Sequence, residues 1–246
     1  MLYFMVWRDL KVRYRQTFLG VAWVVLQPIL MTTVFTIFFS RLGHFQSDGV
    51  PYPLFAYAGL VPWTFFANSI SAGSGSLLAN SSIITKVYFP RMLIPIAIVG
   101  VRLVDLLVAS IVLVGLVVFY GIRLHASLIL LPVFIGEAAL LTTAVGSWLS
   151  VLNIRYRDVG TLLPVIIQLW MFASPIIYAT TMVPARWRFL YSLNPLVGIV
   201  DGFRAAVCGL PIDWRAVVIA SIVTSVLLVY VVRIFSRWQG QLIDQL

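Results

Sequence analysis

The sequence predicts an all-α integral membrane protein. Its expected parts are six transmembrane helices, an amphipathic interfacial helix at the amino end, and a segment before the last span that dips into the membrane and returns. Three observations carry this reading. Of 246 residues, 61% are hydrophobic and only 10% are charged, with a mean hydropathy of +1.02, whereas soluble domains carry about 25% charged residues. Five stretches reach the ~20 apolar residues that a helix needs to cross the hydrocarbon core. The 17 basic residues outnumber the 8 acidic ones and fall unevenly between the two sides that those stretches define. In so apolar a chain this imbalance reflects topology rather than nucleic-acid binding.

The first 17 residues read as a helix lying in the headgroup layer. Tyr3, Trp7, Leu10 and Tyr14 recur at helical spacing beside a basic stripe of Arg8, Lys11 and Arg15, the pairing that suits a surface helix. No charged leader or small-residue cleavage site is seen before it. The five clear spans are Phe18–Ser40, Pro53–Leu78, Ile94–Tyr120, Ser127–Leu152 and Ala216–Phe235. A sixth, Leu162–Ala179, is shorter and interrupted by Pro164, Gln168 and Pro175. Tyr191–Leu210 is apolar at first, but Asp201 and Arg204 and three glycines (Gly198, Gly202 and Gly209) make it a poor lipid-facing helix. It is expected to enter the membrane only where protein or a water-filled cavity covers it. A seven-span arrangement is the rival.

With six spans, Arg8, Lys11, Arg13, Arg15, Lys86, Arg91, Arg155, Arg157, Arg233 and Arg237 share one side. Arg41, Arg123, Arg186, Arg188, Arg204 and Arg215 share the other. The bias puts both termini in the cytoplasm. Residues 80–93 then form a cytoplasmic loop and residues 180–215 a long external one, all within one transmembrane domain spanning 1–246.

Catalytic equipment is missing. No phosphate-cradling G-x-x-x-x-G-K-[ST] run, no G-x-S-x-G elbow and no H-E-x-x-H pair occurs, so neither nucleotide hydrolysis nor the commoner hydrolytic chemistries are expected of this chain. Cys208 is the only cysteine, and His44 and His125 are isolated, which excludes an intrachain disulfide and argues against a zinc site. Gly73-Ser74-Gly75-Ser76 reads as close helix packing or a helix break. Three ionisable residues lie well inside spans, where charge is costly and function is the default suspicion. Arg102 and Asp105, three apart, are expected to neutralise each other. Glu137 could line a polar path, take a proton, or bond to Gln27, Asn68 or Gln168 across the bundle. Beside it Ala138, Thr142, Gly146 and Ser150 form a ridge of small residues suited to tight helix contact. Tyr57, Trp63, Phe65 and Phe66 in one span, and Trp170, Phe172 and Tyr178 in another, suit either sugar rings or plain packing.

Several ordered strings resemble the membrane subunits of type-2 ABC exporters that move polysaccharides, such as the O-antigen and teichoic-acid exporters. They are Trp7-Arg8-Asp9-Leu10-Lys11-Val12-Arg13-Tyr14, Leu19-Gly20 through Trp23 to Gln27-Pro28, Tyr52 to Leu60 with Pro62-Trp63, Ile84 to Arg91, Asn153-Ile154-Arg155-Tyr156-Arg157-Asp158, Ser174-Pro175 with Ile177-Tyr178, and Leu193-Asn194-Pro195 with Gly202-Phe203-Arg204. Only six residues precede Trp7, fewer than is usual in that family, and the carboxyl tail from Arg237 is less charged.

The resemblance implies a homodimer in the bacterial cytoplasmic (inner) membrane, clamped to two copies of a separate ATPase that binds ATP and magnesium. This chain itself would hold no cofactor and no metal. The implied ATPase contacts are the interfacial helix (Trp7, Arg8, Asp9, Lys11, Arg13, Tyr14) and a coupling helix in the loop that follows the second span (Ser82, Thr85, Lys86, Val87, Tyr88, Phe89, Pro90, Arg91). A re-entrant hairpin before the last span is implied as well. The substrate expected is a lipid-linked polysaccharide passing a wall that includes Tyr57, Trp63, Phe66, Trp170 and Tyr178. Arg186, Arg188 and Arg204 are expected outside, where they would meet an acidic glycan. An exporter of a drug or lipid, a proton-coupled carrier built around Glu137, and a scaffold without transport are the alternatives.

Overall fold

The structure is a computed structural model and describes residues 1–15, 20–43, 47–85, 89–123, 125–156 and 158–238. Lys86, Val87, Tyr88, His44 and Arg157, which figure in the expectations above, lie outside the described residues. Among those described there are helices and no strand. They are α1 (Leu2–Arg15), α2 (Gly20–Phe35, continued by a wider π-type turn over Thr36–Leu42), α3 (Tyr52–Ser74), α4 (Ser76–Ala79), α5 (Ser81–Ile84), α6 (Leu93–Phe119), α7 (Leu131–Arg155), α8 (Asp158–Phe172), α9 (Ala185–Ser192), α10 (Pro195–Cys208) and α11 (Trp214–Trp238).

Among the described residues four helices are long and apolar enough to cross a membrane: Ala22–Ser40, Leu93–Phe119, Ala126–Arg155 and Trp214–Arg237. The two remaining expected spans differ for separate reasons. α8 is apolar but only 15 residues long. α3 has 23 residues, yet Thr64, Asn68, Ser69 and Ser71 dilute its apolar character. It is instead the centre of the bundle, packed against α2, α6, α7, α8 and α10, and its Leu54, Phe55, Tyr57, Val61 and Phe66 are wholly enclosed.

In lipid, helices associate by close contact rather than by hiding apolar surface from water. The ridge Ala138, Thr142, Gly146 and Ser150 accordingly faces inward on α7. At the α3–α7 crossing a Cβ on Gly73 would stand 3.4 Å from the Cα of Gly146. Two residues on, Gly75 ends α3 and α4 starts afresh, so the glycine-serine run serves as both close packing and helix break. The three glycines that made Tyr191–Leu210 a poor lipid-facing helix also have contacts to explain them. α10 is capped by the Asn194 side chain, which accepts from Leu196 N at 3.2 Å, and opens on Pro195. It ends at Gly209 in the left-handed region (φ 70°), the usual helix stop. A Cβ on Gly198 would collide with the carbonyl of Ala216 on α11, and one on Gly202 with the Phe134 ring on α7. Every residue of α10 except Asp201 is buried, whereas α9 beside it is exposed through Trp187, Phe189 and Leu190.

A second core gathers one end of the bundle. Met5 of α1, Leu77 of α4, Ile84 of α5, Phe89, Ile94 and Ala97, Val151 and Ile154 of α7, and Val231 and Phe235 of α11 pack together. The amino-terminal helix, the segment after α3, the end of α7 and the end of α11 therefore share one side, the grouping that the basic residues predict.

Candidate functional site

A groove of about 340 Å³ runs between α2, α3 and α8, lined by Gln27, Met31, Trp63, Thr64, Asn68, Ser71, Pro164, Ile167, Gln168 and Met171. Gln27, Asn68 and Gln168 are the three amides considered as partners for Glu137. The structure does bring them together, but around this groove. Glu137 instead accepts a hydrogen bond from Ser221 Oγ on α11 at 2.8 Å. Each of the three helices brings one amide to the groove, and α3 adds the hydroxyls of Thr64 and Ser71.

The five aromatic residues expected to line a path divide. Trp63 borders the groove. Tyr57 and Phe66 do not: both are fully buried, Tyr57 donating to Ala109 O of α6 at 3.0 Å. This corrects their expected place on a path wall within one subunit. Trp170 packs edge-on against Phe66 with centroids 5.1 Å apart and donates through Nε1 to Asn194 Oδ1 at 3.0 Å, so it fastens α8 to the start of α10. Tyr178 lies in the turn beyond α8, donating to Phe172 O at 3.0 Å and paired with the Tyr191 hydroxyl at 3.1 Å. Burial and the neighbouring Tyr178 push the Tyr191 phenol well above its ordinary range.

At the end where α1 packs on α6, Asp105 is the hub. It receives Tyr14 Oη at 2.6 Å, Arg13 Nη2 at 2.8 Å and Arg102 Nη1 at 3.2 Å. The expected Arg102–Asp105 pair is present, joined by two groups from α1. Burial, and then the bond to Asp105, push the Tyr14 phenol up to about 12, so it stays a donor at any physiological pH. The contact is close: a Cβ on Gly100 of α6 would stand 3.0 Å from Val6.

The residues expected to meet an ATPase therefore separate into an outer and an inner set. Trp7, Arg8, Lys11, Ser82, Thr85 and Pro90 are exposed, and Asp9 is half-buried. Trp7 stacks on Tyr3 and carries Lys11 Nζ 5.3 Å over its ring. Arg8 pairs with Asp9 at 2.8 Å and reaches Asn80 at 3.4 Å, which links α1 to the α4–α5 corner. Arg13 and Tyr14 are engaged by Asp105, and Phe89 and Arg91 are buried. Phe89 and Arg91 are thus corrected from surface contact to internal bracing, while the half-buried Arg13 and Tyr14 brace α1 on α6.

At the opposite end, where α3 begins, the largest correction falls on Arg204. It is 2% exposed and cannot meet a glycan. Its guanidinium bonds to Asp201 Oδ1 at 3.0 Å, Phe55 O at 3.2 Å, Pro175 O at 2.6 Å and Ile176 O at 3.4 Å, and lies 3.7 Å over the Phe55 ring. Gly59 supplies the room, because a Cβ there would collide with the guanidinium. Thr180 donates to the other oxygen of Asp201. Arg188 remains exposed but is held by Val183 O at 3.0 Å and Thr181 O at 3.2 Å, while Arg186 lies 5.8 Å over the ring of Trp187. A cavity of about 380 Å³ at this end is lined by Asp48, Asp201 and Asp213 together with Arg204, so three carboxylates accompany the basic residues that the sequence count placed here.

A helical bundle with four membrane-length helices among its described residues is a multi-pass membrane protein. Residues 2–208 match the family model described as ABC-2 type transporter, and the chain belongs to that family. The chain is 28% identical to the O-antigen export system permease protein RfbA of Myxococcus xanthus, over 82% of this chain and 77% of that protein. An RfbA of Klebsiella pneumoniae is 31% identical, over 80% and 76% respectively. The polysialic acid transport protein KpsM of Escherichia coli is 24% identical, over 81% and 78%.

Proposed function

We propose that this chain is the channel-forming permease subunit of an ATP-driven exporter of lipid-linked polysaccharide. In this reading it works as a homodimer with two copies of a nucleotide-binding subunit in the bacterial cytoplasmic membrane. The observation that carries the proposal is the groove between α2, α3 and α8, taken with the names of the relatives. Amide side chains are costly in hydrocarbon unless something hydrogen-bonds them. A hydroxyl-rich polymer supplies donors and acceptors along its whole length, and Trp63 beside the amides offers an apolar face to sugar C–H patches. Gln27, Asn68 and Gln168 thus join Trp63 as the proposed path. Trp170 and Tyr178 act behind it, Trp170 holding α8 to the start of α10 and Tyr178 holding the following turn to α9.

α3 and α8 supply the fifth and sixth crossings, α3 covered by protein and α8 exposed along Leu162, Val165, Ile166 and Leu169, and α9–α10 forms the re-entrant hairpin. The ten-to-six distribution of basic residues favours placing the end with α1, α4 and α5 in the cytoplasm. There the exposed Trp7, Arg8, Lys11, Ser82, Thr85 and Pro90 face the ATPase. ATP binding in the partner moves α1 and the 80–93 segment, and the groove opens.

The test is reconstitution with the nucleotide-binding subunit in vesicles. Lipid-linked glycan should stimulate ATP hydrolysis and cross the bilayer. A complex that hydrolyses ATP but responds to no glycan, and moves none, defeats the reading.

A further inference from the structure

Asn153 stands where three elements meet, and neither the groove nor the ATPase-facing surface accounts for it. It lies near the end of α7 and is buried. Its Nδ2 donates to the carbonyl of Ser74 at 3.1 Å, the last residue of α3 before the break at Gly75. Its Oδ1 accepts from Gly160 N at 3.2 Å, a first-turn N–H of α8, one of the donors that a helix leaves without an intrahelical partner. An amide is suited to both tasks because it carries a donor and an acceptor on one rigid plane. The foot of α8 is thereby fastened to the broken end of α3 as well as to α7 through a short connection.

Both ends of this tether lead somewhere. On the α3 side, α4 begins one residue after Gly75 and is wedged between α6 and α7. Leu77, Ile84 and Phe89 belong to one packed core, so residues 76–85 and Phe89 respond as one body to a push from outside. On the α8 side, Pro164, Ile167, Gln168 and Met171 line the groove. Between the tether and that wall the helix has a soft point, since Pro164 cannot donate to the carbonyl of Gly160. Displacement of the foot therefore becomes a change in the tilt of the wall.

We propose that Asn153 is a positioning residue that ties the foot of α8 to the α3–α4 break and delivers motion of the segment after α3 to the groove. The proposal rests on the transport reading above and goes beyond it by naming the link between motor and wall. Asn153→Asp separates the two bonds: a carboxylate still accepts from Gly160 N, and is favoured at a helix start, but it cannot donate to Ser74 O. Asn153→Ala removes both. Both variants are reconstituted with the nucleotide-binding subunit, and ATP hydrolysis and glycan export are read separately. The expected result is assembly and ATP hydrolysis close to those of the unsubstituted complex, with export per ATP lowered about tenfold in each, a loss within the usual range of coupling between sites. A residue that merely capped α8 would leave Asn153→Asp unaffected, so export per ATP unchanged in that variant overturns the proposal. Absence of export in the unsubstituted complex would defeat the transport reading instead.

Should the variants fail to assemble, spin labels on the chain with Asn153 intact decide the matter. Leu78 and Leu162 are both exposed, as is Val226 on α11, while Cys208 is buried and stays unlabelled. On ATP binding, the Leu78–Val226 and Leu162–Val226 distances should change together while Leu78–Leu162 holds constant. Any other pattern overturns the tether.

Discussion

Replacing Arg204 by alanine removes more than a charge. Its guanidinium contacts Asp201, three carbonyls from two separate segments, and the face of Phe55. Pro175 and Ile176 lie in the irregular turn after α8, where backbone carbonyls have few helical partners, so Arg204 closes that turn onto the start of α3. Removing one member of a buried pair typically costs about 3–5 kcal/mol. Asp201 keeps Thr180 as a partner and retains 24% of its side-chain surface, which pulls the estimate down; the carbonyls left behind, at about 1–3 kcal/mol for a buried group without a partner, push it back up. A loss of about 4 kcal/mol lowers Tm by about 8–16 °C for a chain of this size. The eight tryptophans allow this to be followed by intrinsic fluorescence on heating in detergent. Arg204→Lys should recover only part of the loss, because an ammonium cannot span four acceptors or stack on a ring. If Arg204→Ala unfolded within about 2 °C of the parent, under 1 kcal/mol, yet lost export, Arg204 would be acting on substrate and the burial argument would be wrong.

Gly198→Ala and Gly202→Ala should each destabilise by about 1–3 kcal/mol through overpacking; Phe134→Leu should partly rescue Gly202→Ala on heating. No side-chain change should rescue Gly198→Ala, where the obstacle is the Ala216 carbonyl. Asp105→Ala leaves Arg13 and Arg102 facing each other and should release α1, seen as faster amide exchange over residues 2–15, while Tyr14→Phe should cost only about 1 kcal/mol and leave that exchange pattern intact. Glu137→Gln retains an acceptor for Ser221, so ATP-driven export should persist within about twofold, less than 1 kcal/mol in rate terms; loss of a proton-dependent flux in that variant would instead install the carrier alternative. Asn68→Leu and Gln168→Leu should lower glycan export while leaving ATP hydrolysis without glycan unchanged, and equal export in both would remove the amide wall.

What was legible in the sequence is what depends on run length and local spacing. The apolar stretches correspond to the observed helices, the 1–17 stripe to α1, and the i,i+3 pair of Arg102 and Asp105 to a real contact. The glycines of α10 were legible as an oddity, a helix unfit for lipid, and their reason is contact with α7 and α11. What was not legible depends on helix rotation and on partners far along the chain. Tyr57 and Trp63 sit six residues apart on one helix, more than a turn and a half, so they face different ways; both are buried, and only the placement of α6 and α8 determines which of them borders the groove. Glu137 finds Ser221, 84 positions later, because a serine in an apolar span attracts no attention until the spans are packed.

Arg204 shows why a charge count overstates the outer surface. Positive charge in a loop between spans is counted as facing water, but a guanidinium carries five donors, and where a turn exposes several carbonyls it can be held inside as a structural cation. The same logic holds at the other end, where Arg13 is drawn to Asp105 and Arg91 is buried. The exposed basic residues among those described are therefore fewer than the sequence suggests: Arg8, Lys11, Arg155, Arg233 and Arg237 towards one end, and Arg123, Arg186, Arg188 and Arg215 towards the other. In the proposed mechanism a permease pushed at one end and opened in the middle needs its ends stiff. Burying basic residues at both ends supplies that stiffness, while the amide-lined groove between them has no ion pair among the described residues to hold it shut.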